Sequence, residues 1–150
     1  MKQKMFIPAV LALFVSAPSL GDEYATAQQA EAMVAQVVKD IKENREATFT
    51  AITAKDAKYI QLDLYPVVYD MNGKCLSHGQ NAKQVGKDLI GIADADGKEF
   101  IKERVELANS KGTFWQDYKF TDPVTKKILP KSAYCEKTAD VIVCAGIYKR

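Results

Sequence analysis

Few residues of this chain could do chemistry, and His78 stands out because it is the sole histidine. Lone histidines are more often structural residues held by hydrogen bonds than ligands. A metal would need further His or Cys ligands, and the chain has neither a second His nor a Cys-x-x-Cys pair. We therefore predict no metal or other cofactor and treat His78 as a candidate binding residue.

Nucleophilic catalysis would need Ser77 or Cys75 to meet His78 on one face of a strand. Side chains alternate between the two faces, so residues one or three positions apart are predicted to point to opposite sides. Gly-x-Ser-x-Gly and the glycine patterns of nucleotide sites are also absent. A non-catalytic role is predicted, and a periplasmic enzyme that uses Cys75 or His78 is the alternative.

A pocket for a small anion needs aromatic walls and one or two fixed donors. The later strands carry Lys131 among aromatic residues that are mostly expected in the core: Trp115, Tyr118, Phe120, Tyr134 and Tyr148. Lys131 and Tyr134 are three residues apart, so both line one pocket only if the strand is irregular near Pro130. A cross-strand pair with Asp117 is the alternative role for Lys131.

A predicted hairpin positions His78. Residues 64–69 are rich in β-branched and aromatic types, which favour strands. Asn72-Gly73 follows, and this dipeptide between apolar runs is a strong hairpin signal. The chain returns through residues 74–77 to His78, and glycines at 79 and 86 indicate an irregular loop.

Two predicted helices flank this hairpin. Residues 26–55 repeat apolar positions at steps of three and four, which indicates a long amphipathic helix that could also serve a dimer interface. Asp94 or Asp96 is predicted to cap a second helix that ends at Gly112. The further oxygen ligands of a calcium loop are missing after Asp96, so capping is the favoured role.

Three strands follow, at residues 114–120, 128–136 and 141–148, which makes the fold class α+β. If the last turn centres between residues 139 and 140, Cys135 lies directly opposite Cys144. Residues so placed are close enough for a disulfide, which persists in an oxidising compartment. We predict that bridge, with Cys75 left free; two buried thiols are the alternative.

The first 21 residues have the anatomy of a signal peptide. Lys2 and Lys4 precede an apolar run at residues 5–15, and small residues lead to Gly21. The run is too short to span a bilayer comfortably, so we predict one mature domain, 22–150, that is periplasmic or secreted; an uncleaved anchor is the alternative. Without Lys2 and Lys4, 19 basic groups match 19 acidic ones, so nucleic acid is not an expected partner.

Several segments together resemble the single Cache domain, type 2, an extracytoplasmic module that senses small molecules. They are DLYPVVYDMNGKCLSHGQNAKQVGKDL, DADGKEFI, KGTFWQDYKF, PVTKKILPKSAY and CAGIYK, in the expected order across roughly residues 30–149. The resemblance implies a PAS-like antiparallel sheet with a long N-terminal helix and one inserted helix. It also implies that His78, Lys131 and Tyr134 lie beside a pocket. With the aromatic walls, the predicted ligand-binding set is Tyr65, His78, Trp115, Tyr118, Lys131 and Tyr134.

The expected function is that of an exported, non-enzymatic sensor for a short carboxylate such as acetate, propionate, lactate or pyruvate. Similar domains lie between two membrane helices of chemoreceptors and kinases. This chain ends just after its last strand, so a separate membrane signalling partner is expected. A homodimer is an open alternative. A module with no ligand, whose pocket is filled by its own side chains, is the third hypothesis.

Overall fold

The computed structural model describes residues 23–150, so the predicted signal peptide lies outside the described residues. The main elements are α1 (Ala27–Thr53), β1 (Pro66–Asp70), β2 (Cys75–His78), α2 (Phe100–Lys111), β3 (Thr113–Thr121), β4 (Ile128–Thr138) and β5 (Val141–Tyr148). The strands form one antiparallel sheet in the order β2-β1-β5-β4-β3. The predicted α+β fold, with a long first helix and one inserted helix, is confirmed.

Helix α1 covers one face of the sheet. Thr26 and Gln29 form a reciprocal capping box, in which each side chain accepts the other residue's backbone N–H and fixes the helix start. The predicted apolar stripe packs on β1 and β5; its buried members are Ala30, Met33, Val34, Val37, Val38, Ile41 and Ile52. Asn44 breaks the helical geometry, and its side chain accepts the N–H of Ala47 to restart the helix.

The β1–β2 hairpin forms as predicted, but it contains a β-bulge. Val68 pairs with Ser77 and Tyr69 pairs with Cys75, so Leu76 is an extra residue in β2. Ser77 faces α1 and donates to the carbonyl of Phe49 at 2.8 Å, whereas Cys75 lies on the other face. The prediction that Cys75 and His78 point to opposite faces is therefore wrong, because one inserted residue reverses the alternation.

The predicted disulfide is present. Cys135 on β4 pairs directly with Cys144 on β5, with Cα atoms 4.2 Å apart, and Cys75 is free and buried. The turn between these strands has Ala139 at a positive φ of 50°. The bridge fixes the register between β4, which carries Lys131, and the neighbouring β5.

Helix α2 begins later than predicted. Asp94 does not cap it: that carboxylate accepts backbone N–H groups from Asp96 and Lys98 in its own turn and from Lys119 on β3. The cap residue Glu99 makes no side-chain cap hydrogen bond. The predicted capping by Asp94 or Asp96 is therefore wrong, because the aspartate turn ends before the helix starts. Gly112, at φ 74°, ends α2 as predicted.

Two layers of the molecule thus frame the sheet. Helix α1 lies on one face, and α2 packs on β3 at the other face through Phe100, Ile101, Arg104 and Ala108. From residue 23 to residue 150, no helix has both the length and the apolar character needed to cross a bilayer. The face away from α1 holds the cavities described next.

Candidate ligand-binding site

Two adjoining cavities lie on the sheet face opposite α1, and they share walls formed by Tyr65, His78, Gln84 and Phe120. The inner compartment has a volume of about 60 Å³. Its other lining residues are Val67, Tyr69, Leu89, Ile92, Phe100, Tyr118 and Lys131. The outer compartment, of about 410 Å³, adds Gln80, Asn81, Thr121, Pro123 and Lys126.

Lys131 supplies the charge of the inner compartment and is only 4% exposed. Its Nζ donates to the hydroxyls of Tyr65 at 3.0 Å and Tyr148 at 3.3 Å, and it lies over both rings. An ammonium has three donors, so one N–H is left for another acceptor. No carboxylate among residues 23–150 forms an ion pair with Lys131.

The expected pair between Lys131 and Asp117 does not form. The β3–β4 register sets Lys131 opposite Tyr118, and Asp117 opposite Ser132, whose hydroxyl donates to the Asp117 carboxylate. Burial lowers the pKa of Lys131, but Tyr118 and Tyr65 outweigh it and leave that pKa raised. The ammonium therefore stays charged at neutral pH, and no Asp or Glu in the described part of the chain forms an ion pair with it.

Gly146 on β5 makes room for the Lys131 stem. A Cβ at this position would lie 2.6 Å from Cε of Lys131 and 3.1 Å from the carbonyl oxygen of Ser132. Any side chain at residue 146 would therefore displace the lysine. Sequence reasoning missed this residue, although a glycine inside a strand is a known signal of close approach.

His78 is held in one tautomer by the backbone of the loop that follows it. Its Nδ1 accepts the N–H groups of Gln80 at 3.1 Å and Asn81 at 2.9 Å, and its ring stacks on Tyr65. The proton must then reside on Nε2, which makes that nitrogen a neutral donor. Burial, followed by the charges of Lys131 and Lys55, lowers the pKa of His78 to about 4.

The six predicted site residues divide between the two faces. Tyr65, His78, Tyr118 and Lys131 line the inner compartment. Trp115 and Tyr134 instead contact each other at 5.4 Å between ring centroids, and Tyr134 packs against the α1 core. Strand β4 is regular throughout its pairing with β3. Lys131 and Tyr134 are three residues apart, so their side chains point to opposite faces of the sheet. The expected grouping of Trp115 and Tyr134 with Lys131 is therefore corrected.

Arg104 is a second buried cation behind the inner compartment. Its Nε donates to Gln116 at 2.9 Å, and its guanidinium lies 5.0 Å from the ring centroid of Tyr118. Nη2 of Arg104 has no hydrogen-bond partner among the described residues. No Asp or Glu lines either compartment, so the electrostatic environment of the cavities favours anions.

Nucleophilic catalysis by Cys75 and metal binding have no support among the described residues. Cys75 is buried, and burial raises the pKa of its thiol to about 11, so it carries almost no thiolate at neutral pH. Within residues 23–150, no cluster of three His, Cys, Asp or Glu residues could hold a metal ion.

Comparisons with known proteins agree with this fold. The profile of the family described as Single Cache domain 2 matches residues 21–149. No curated protein sequence matches the chain significantly.

Three solved structures share the architecture. A methyl-accepting chemotaxis protein from Vibrio parahaemolyticus is 22% identical, with a TM-score of 0.68 over 81% of this chain and 86% of that chain. A periplasmic sensor domain of a chemotaxis protein is also 22% identical, with a TM-score of 0.65 over 82% and 90% of the two chains. A Cache chemosensory domain described for carboxylic acid recognition is 21% identical, with a TM-score of 0.69 over 82% and 92%.

Proposed function

Because this chain belongs to the single Cache domain 2 family, we propose that it is a sensory domain that binds a short organic acid in the inner compartment. The observation that carries the proposal is Lys131, a buried ammonium with no carboxylate partner among the described residues. A buried charge without a counter-ion is costly. An anionic ligand would provide that counter-ion.

The carboxylate would accept hydrogen bonds from Lys131 Nζ and from Nε2–H of His78. Hydrogen bonds to a charged group are about twice as strong as neutral ones. The aromatic walls, including Tyr65 and Tyr118, would surround the short apolar part of the acid. A structural relative at 21% identity is described for carboxylic acid recognition, which supports the choice of ligand class.

The proposed role is non-catalytic, and the geometry around the candidate nucleophiles supports this. Ser77 faces α1 and is hydrogen-bonded to the carbonyl of Phe49. Cys75 shares the face of His78 but is a buried thiol whose pKa is raised to about 11. We also propose that the domain works outside the cytoplasm and signals through a membrane partner; one of its structural relatives is a periplasmic sensor domain.

A thermal-shift screen tests the proposal. Acetate, propionate, lactate and pyruvate would be compared with amines and amino acids. A ligand at a hundredfold excess over Kd adds about 2.7 kcal/mol of stability. We expect at least one acid to raise Tm, and we expect Lys131→Met to remove the response. Absence of any shift with these four acids and with succinate would reject the proposal.

A matched pair of variants separates the two faces of the sheet. Tyr65→Phe removes a hydroxyl that accepts from Lys131, whereas Tyr134→Phe makes the same chemical change on the α1 face. The Tyr65 hydroxyl positions the Lys131 ammonium, and loss of a hydrogen bond to a charged group costs about 1.5–3 kcal/mol. Tyr65→Phe is therefore expected to displace the ammonium and to weaken acid binding. Tyr134→Phe is expected to bind like the parent, and a reversed order would contradict the site.

A further inference from the structure

We propose that the ligand has two polar ends, with a carboxylate in the inner compartment and a second hydrogen-bond acceptor in the outer one. The inference rests on the proposed function and narrows it to dicarboxylates and to acids with a terminal amide or similar group. It follows from the volumes of the two compartments, the donors of the outer one, and the contacts that hold the walls together.

The volumes argue against a minimal acid as the whole ligand. The inner compartment, at about 60 Å³, is only several times the roughly 10–15 Å³ of cavity volume that holds one water. The outer compartment, at about 410 Å³, is within the usual range of ligand sites. The two compartments share the walls formed by Tyr65 and His78, so acetate in the inner compartment would leave the larger, outer compartment to solvent.

The outer compartment offers donors. Lys126 supplies an ammonium, and Gln80 and Gln84 supply side-chain amides. The Oδ1 of Asn81 already accepts the backbone N–H of Lys83 at 3.1 Å, so its NH₂ group is left for another partner. With no carboxylate in the lining, an ammonium end would lack a charged partner, which disfavours amino acids and amines.

Hydrogen bonds tie the outer walls to the inner ones on both sides. The backbone N–H groups of Gln80 and Asn81 both donate to Nδ1 of His78. On the other side, the Tyr148 hydroxyl accepts from Lys131 and donates to the carbonyl of Thr121 at 2.8 Å. The separation between Lys131 and the outer wall is thereby fixed, so the site selects for ligand length as well as charge.

Calorimetric titration with succinate, succinamate and butyrate tests the inference, because the three acids share one chain length and differ at one end. For the parent protein, we expect succinate and succinamate to bind at least about tenfold more tightly than butyrate. Lys126→Met and Asn81→Asp are expected to remove most of this preference. Asn81→Asp keeps an oxygen that accepts the backbone N–H of Lys83, but it removes the NH₂ group that would donate to the ligand.

Lys127→Met is the control, because it removes the same charge from the neighbouring exposed residue, which lines neither compartment. It should leave the preference for succinate intact. Two results would overturn the inference: equal binding of butyrate and succinate, or a preference for succinate that survives both Lys126→Met and Asn81→Asp. Either result would leave the proposed binding of acids unaffected. Failure of every acid to bind would instead remove the proposed function, and this inference with it.

Discussion

At the scale of single residues, the site depends on polar groups whose state is set by burial. Lys131 is charged and lacks a carboxylate partner within residues 23–150. His78 is neutral because its Nδ1 already serves two backbone donors. Protonation of His78 would cost those hydrogen bonds and add a second charge near Lys131. For the proposed ligand, the two residues would therefore be complementary donors, one charged and one neutral.

The low pKa of His78 predicts that the domain loses stability between about pH 6.5 and pH 4. The pKa of His78 is about 4 in the folded state and about 6.5 in the unfolded state. The unfolded chain therefore takes up a proton in this window and the folded domain does not, so falling pH favours unfolding. The contribution of His78 to the free energy of unfolding is fully present above pH 6.5, and roughly 3 kcal/mol of it is lost by pH 4.

Urea denaturation at a series of pH values measures this loss. His78→Asn keeps an acceptor for the loop amides but does not titrate, so its profile should be flatter than that of the parent. The pKa values of Asp94, Asp117 and Asp122 are also lowered, and the stability that they contribute begins to fall at about pH 5. This loss is common to both proteins, so the difference between the two profiles reports on His78. Identical profiles for the two proteins would contradict the assignment.

At the scale of elements, the strands determine which side chains meet. The bulge in β2 puts Cys75 and His78 on one face, and the regular pairing of β4 puts Lys131 and Tyr134 on opposite faces. The disulfide between β4 and β5 fixes their register. This register also sets Gly146 beneath the stem of Lys131.

Gly146→Ala is predicted to displace Lys131 and weaken acid binding by about tenfold or more. The new Cβ would lie 2.6 Å from Cε of Lys131, which is too close for an unchanged lysine. Overpacking of this kind typically costs about 1–3 kcal/mol of stability. Calorimetry gives the affinity, and thermal unfolding shows that the variant is folded.

Gly91→Ala is the matched control for this change, because a Cβ there would meet nothing within 4 Å. It should bind acids like the parent. A folded Gly146→Ala protein with parental affinity would show that the position of the lysine stem does not matter for binding.

At the scale of the whole molecule, Arg150 joins segments that are distant in sequence. Its guanidinium contacts Asp63 at 2.9 Å and Asp122 at 2.6 Å, and it stacks on the ring of Tyr24 at 3.7 Å. Asp63 also accepts the backbone N–H of Ala25 at 2.8 Å. Arg150 therefore connects the segments that precede α1 and β1 to the loop after β3. That loop forms part of the outer compartment.

Arg150→Met is predicted to destabilise the domain by about 3 kcal/mol, because it leaves Asp63 and Asp122 buried without this cation. Urea denaturation at neutral pH measures the loss. Arg45→Met is the control, since the Arg45–Asp140 pair is exposed and such pairs contribute under about 1 kcal/mol. If both variants lose the same small amount, Arg150 has no special role in stability.

The sequence by itself determined the elements and the family. Asn72-Gly73 fixed the hairpin, and the three- and four-residue apolar steps fixed α1, because turn chemistry and periodicity are local properties of the chain. The Cys135–Cys144 pairing was also predictable, because only a short turn separates the two strands. Tyr65, His78, Tyr118 and Lys131 were named as site residues, and the structure places all four around one cavity.

Only the tertiary structure decided which face each side chain occupies and which groups meet across the sheet. The bulge at Leu76 carries no glycine or proline signal, yet one extra residue reverses the two-residue alternation of a strand. Gly146 meets the stem of Lys131 on the neighbouring strand, and Arg104 and Arg150 contact residues of other elements. Such contacts depend on packing between elements, which the local pattern of residue types does not specify.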